Sequence, residues 1–129
     1  MDVLIRYGFS IEDINNIMNS NEEINDISDD HINEILQILE SLGCTNHQIM
    51  NILISNPFVL TREITEIKKI IVKLLDIGIE DLNYLFDSNP FLLNVEYKEL
   101  DYFYKKMVKN EVKLDEILDA FYYDSYSII

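Results

Sequence analysis

Three glycines, Gly8, Gly43 and Gly78, divide this chain of 129 residues at two intervals of 35, and it contains no others. Four residues before each stands a leucine: Leu4, Leu39 and Leu74. The residue immediately before each glycine is apolar as well: Tyr7, Leu42 and Ile77. The only two prolines, Pro57 and Pro90, both lie inside the tetrapeptide Ser-Asn-Pro-Phe, 33 positions apart. Self-similarity at this period marks a stack of small helical units, none of which buries its apolar face without its neighbours.

Each unit reads as two helices around a corner. A glycine after an apolar run ends a helix, because it adopts a left-handed backbone without steric cost. A short helix follows, announced in the first two units by the capping-box patterns Ser10–Asp13 and Thr45–Gln48. The third unit lacks two residues here and opens on Glu80-Asp81, acids suited to a helix N-terminus. Proline then forces the preceding Asn56 or Asn89 out of the helical region. The corner is expected to be one 3₁₀ turn, with Phe58 and Phe91 facing the core. Its first copy is degenerate, Ser-Asn-Glu-Glu at 20–23, and two residues longer to the next cap.

The second helix of each unit is expected to start at Ser28, Thr61 and Asn94, spaced 33 apart. In the second unit Ile64, Ile67, Ile70, Ile71 and Leu74 form its apolar stripe. Tyr97, Leu100, Phe103, Tyr104 and Met107 match them in the third. Leu114–Tyr123 reads as a closing helix, and Val3–Tyr7 as the last turn of a helix. The fold class is therefore all-α: a single helical-repeat solenoid over 1–129. Its repeats are expected at about 8–42, 43–77 and 78–112, with a C-terminal helix and tail at 113–129.

Units of this kind resemble the mitochondrial transcription termination factor (mTERF) repeat family. The resemblance rests on LESLGCTNHQIMNILISNPFVL at 39–60, on Leu60, Ile67 and Leu74 after Pro57, and on Leu93, Leu100 and Met107 after Pro90. It implies a curved solenoid with two α-helices and a 3₁₀ turn per repeat. It also implies nucleic-acid binding along a basic concave groove, or action through protein partners. The chain differs from the family pattern in being short and acidic and in lacking a targeting presequence, so the expected location is the cytoplasm.

Charge then bears on function. The net charge is −14, from 24 acidic and 10 basic residues, which on average repels phosphate backbones and anionic membranes. Arg6 is the only basic residue among the first 61, against ten acids. Lys69, Lys73, Lys105 and Lys106 lie on the second helices of repeats two and three and are the candidate nucleic-acid contacts. Lys73 is level with Lys106, whereas Lys69 is level with Tyr102, and the first unit offers no lysine. The plainer reading is a solvated helix surface with pairs such as Arg62–Glu66 and Glu66–Lys69.

No constellation suggests catalysis, a cofactor or a metal. The acidic pairs Glu12-Asp13, Asp29-Asp30 and Glu80-Asp81 complement helix dipoles. Cys44 and His47 are too few for zinc, which needs about four ligands, and Cys44 reads as a small core residue. Phe121, Tyr122, Tyr123 and Tyr126 make the C-terminus unusually aromatic. They either cover the open end of the stack or dock a partner or a second copy. The leading functional reading is a non-catalytic module for protein–protein recognition, favouring a partner with a basic surface. The alternative is a transcription-related nucleic-acid binder.

Overall fold

The structure, a computed structural model, describes residues 2–123. It contains eight α-helices and three 3₁₀ segments among those residues, and no strand. In chain order the helices are α1 (Asp2–Arg6), α2 (Ile11–Ser20), α3 (Asp29–Ser41), α4 (Asn46–Ser55), α5 (Ile64–Ile77), α6 (Leu82–Ser88), α7 (Tyr97–Lys109) and α8 (Leu114–Tyr123). The 3₁₀ segments Glu22–Asp26, Pro57–Thr61 and Pro90–Asn94 separate α2 from α3, α4 from α5 and α6 from α7.

The packing repeats with the elements. The first helices of the units form one row, α2 on α4, α4 on α6 and α6 on α8. The second helices form another, α1 on α3, α3 on α5 and α5 on α7. The three 3₁₀ corners stack between these rows. The closing helix α8 is thus seated as a fourth first helix, with Ile117 and Phe121 buried as Leu82 and Phe86 are in α6.

The helix ends behave as expected, and one further end appears. Gly78 lies at φ +114°, with the amide of Ile79 donating to the Leu74 carbonyl at 3.1 Å. The same bond joins Phe9 to Leu4 and Cys44 to Leu39, so the periodic leucines hold the carbonyls that close each helix. A fourth copy ends α7: Val112 donates to Met107, and the left-handed position is occupied by Glu111 at φ +60°. Ser10 and Thr45 form complete capping boxes, each worth on the order of 1 kcal/mol.

Four local expectations are corrected. Phe58 and Phe91 do not face the core; each is about half exposed, at 51% and 48%. On a 3₁₀ turn residues three apart share a side, so Pro57 and Leu60 point inward together and Phe58 points away. Thr61 and Asn94 cap nothing, because they end the 3₁₀ segments; the helices begin two residues later behind Glu63 and Glu96, neither of which makes a side-chain cap. Of the three expected caps only Ser28 holds, accepting from the His31 amide. The first corner is therefore no longer than the others: Asn21, Asn56 and Asn89 each stand seven residues before Ser28, Glu63 and Glu96. Glu80 and Asp81 also precede α6 rather than lying in its first turn.

Candidate nucleic-acid interface

What positions the second helices is a line of asparagines that side-chain patterning did not single out. Asn21, Asn56 and Asn89 are the only buried polar or charged side chains among the described residues. Each donates its amide into the next unit: Asn21 to Thr61 Oγ1 at 3.1 Å, and Asn56 to the Pro90 carbonyl at 3.0 Å and Asn94 Oδ1 at 2.8 Å. Asn89 reaches the Phe121 carbonyl at 2.7 Å. The signal was present in the sequence, since the same asparagine precedes every corner, including the copy without proline.

Arg62 strengthens the second boundary. It does not pair with Glu66 as expected; its guanidinium donates to the carbonyls of Asn94 and Val95, both at 2.8 Å, with Glu96 at 3.8 Å. Its side chain is only 11% exposed, so these bonds fix how α5 and α7 lie relative to one another.

The four candidate lysines divide on this frame. Lys73 does not belong to an open column, because it is 16% exposed, sits 2.7 Å from Asp101 and lies 5.0 Å from the centre of the Tyr104 ring. Lys105 approaches the other Asp101 oxygen at 2.7 Å but stays 72% exposed. These two ammonium groups, Lys105 foremost, hold the Asp101 carboxyl below its ordinary value. Lys69 pairs with Glu66 at 3.1 Å and is 58% exposed. Lys106 is exposed and lines a groove on α7.

That groove, of about 560 Å³, is lined by Lys98, Lys105, Lys106 and Lys109, with Tyr102 and a single carboxylate, Asp101. A second groove of the same size runs between α5 and α7, where Lys68 and Lys69 lie beside Val72 and Tyr97. Lys68, Lys98 and Lys109 are not among the candidates chosen from the sequence, because the grooves they line show only once the helices are seated. The charge is graded along the row: α3 has four acids and no base, α5 three lysines against two acids, and α7 four lysines against two acids. The lysines of the row are confined to its last two helices, and α1 carries only Arg6.

The described aromatic side chains of the C-terminus, Phe121 and Tyr122, are used in packing. Phe121 is not a docking residue: it is fully buried, with its ring 5.5 Å from that of Phe103. Tyr122 is half-buried against Tyr84, their rings 5.7 Å apart. Tyr126 and the side chain of Tyr123 lie outside the described residues. Cys44 is buried, and burial, with a smaller contribution from Asp87, pushes its thiol up to about 11. Among the described residues no group of three or more His, Cys, Asp or Glu side chains is arranged to hold a metal ion. None of the described helices is long and apolar enough to cross a membrane.

The helix–3₁₀–helix unit, repeated with its glycine ends and asparagine corners, is decided at family level by a match to the mTERF family model over residues 1–126. This chain belongs to the mTERF family. Comparison with curated proteins and with solved structures finds no match. As an mTERF chain it keeps the repeat frame while carrying the lysines of its second-helix row on α5 and α7 alone.

Proposed function

We propose that this protein is a non-catalytic helical-repeat regulator that binds nucleic acid through the lysine-bearing side of α5 and α7. The observation that carries this reading is the α7 groove, where Lys98, Lys105, Lys106 and Lys109 surround Tyr102, 68% exposed, with only Asp101 opposing them. Family membership favours this ligand class over others. Lysines neutralise phosphates, and an exposed tyrosine between them suits the stacking of an unpaired base. Protein recognition, the leading expectation from the sequence, loses Phe121 and much of Tyr122 as contacts because both are used in packing.

The test is fluorescence anisotropy with mixed-sequence single- and double-stranded DNA and RNA at about 50 mM and about 200 mM salt. A site engaging about four phosphates weakens on the order of 100-fold across that range. The double variant Lys68→Glu/Lys109→Glu changes two exposed lysines that make no ion pair among the described residues and is expected to lose most of the binding. No binding at low salt, or binding indifferent to this variant, sinks the proposal.

A further inference from the structure

We infer that α7 is also a seat for one α-helix of a partner protein, and that this helix is amphipathic with acidic flanks. Every earlier second helix is covered by the next: α3 packs on α1, α5 on α3 and α7 on α5. After α7 no second helix follows among the described residues. Its contacts to α5 run through Asp101 and Tyr104. At about 3.6 residues per turn, Phe103, Lys106 and Asn110 lie on the opposite side of the helix, where the next member of the row would pack.

That side is an open groove of about 720 Å³, with Tyr102, Phe103, Met107 and Val112 as its apolar floor and Lys98, Glu99, Lys106 and Asn110 as its walls. Its counterparts one repeat earlier are closed: Ile70 and Leu74 stand where Phe103 and Met107 do, and are fully buried. An apolar strip left open at helical spacing is what an amphipathic helix fills, with anchors at i, i+3 or i+4 and i+7. The lysines select the charge of that helix. In a chain of net charge −14, Lys98 and Lys106 at the groove, with Lys109 beside it, outnumber the one carboxylate there, Glu99, and leave a locally positive rim. Acidic residues flanking the apolar stripe complement that rim, and this sets specificity and encounter rate.

A second copy stacked end to end fits poorly. The exposed acids of α8, Asp115, Glu116 and Asp119, would meet the groove of Glu22, Glu23 and Asp26 at the other end of the row. Among the described residues the second helix at that end, α1, offers five residues against thirteen in α7. The seat therefore calls for a longer helix from elsewhere.

The probe is a fluorescein-labelled synthetic peptide of residues 28–43, which copies α3, an acidic second helix of this chain with its cap and terminal glycine. Added to the full chain, it is expected to bind saturably at sub-millimolar concentration. About 10-fold weakening is expected in Tyr102→Ala, which changes no charge, and about 10-fold in Lys106→Glu. A peptide with Asp29, Asp30, Glu34 and Glu40 all replaced by lysine is expected not to bind. Absence of saturable binding, or binding unmoved by Tyr102→Ala, overturns the inference. So does concentration-dependent self-association in sedimentation that Tyr102→Ala abolishes, which would assign the seat to a second copy. If a chain ending at Tyr123 binds the peptide and the full chain does not, the seat belongs to residues 124–129 and the inference also fails. None of these readouts involves nucleic acid, so the result is independent of the anisotropy experiment.

Discussion

Asn56 donates one side-chain amide to Asn94 Oδ1 at 2.8 Å and to the carbonyl of Pro90 at 3.0 Å, spanning the boundary between two repeats from a fully buried position. A buried donor with two acceptors arranged around it orients one unit on the next. Apolar packing alone would tolerate some sliding of helix on helix; directional bonds do not.

Replacing this side chain should expose the dependence. Asn56→Ala is expected to cost about 1–3 kcal/mol, because the Pro90 carbonyl and Asn94 amide oxygen lose a buried donor. Asn21→Ala removes a single bond to a hydroxyl and is expected to cost less. Urea denaturation of both variants checks the order; equal costs would contradict it.

The fourth helix end predicts a stabilising change. Glu111 holds the left-handed backbone at φ +60°, where the equivalent Gly8, Gly43 and Gly78 carry no side chain. Glu111→Gly is expected to relieve part of a strain on the order of 1–2 kcal/mol, offset by greater freedom of the unfolded chain. The net gain is about 0.5–1 kcal/mol, seen as a Tm a few degrees higher. Gly78→Ala should shift Tm the other way.

Asp101 makes stability sensitive to acid. Its carboxyl is held low by Lys105 and then by Lys73, so the folded state binds its proton less readily than the unfolded chain. That contribution is present above the ordinary aspartate value near 3.8 and is lost as pH falls through the lower folded value. Asp101→Asn should be less stable than the parent at pH 7, and the gap should close as the pH is taken below about 3.5. Thermal melts of the pair across pH 2–7 would show a constant gap if this linkage were absent.

Cys44 should be chemically quiet. With its thiol pushed up to about 11 by burial and Asp87, little thiolate exists at pH 8. Ellman's reagent is expected to label the folded protein far more slowly than the protein in denaturant. Fast labelling under native conditions would show that the helix end at Gly43 opens readily.

The architecture was legible from the sequence because its determinants are local. A glycine at a helix end, a proline at a corner and an apolar stripe every third or fourth residue each act over a few residues and recur at a fixed period. That periodicity set the helices, the corners and the order of the units. It misjudged Thr61 and Asn94 because a 3₁₀ segment followed by two extended residues delays the helix start, and polar residues before a helix look like caps either way. It misjudged Phe58 and Phe91 for the same local reason, the tight turn that carries them outward.

Only the tertiary structure decided what the polar residues do. Lys73 and Lys106 occupy equivalent positions, yet Asp101 of the next helix sequesters the first, and no described helix follows to engage the second. Arg62 stands four residues before Glu66 but, lying ahead of α5 on extended backbone, turned to the carbonyls of the next repeat. Charged groups choose partners through space, across boundaries about 33 residues apart in the chain. The sequence by itself therefore determined the repeat and its packing faces. Which lysines remain free to meet a ligand depends on the stacking of one unit upon another.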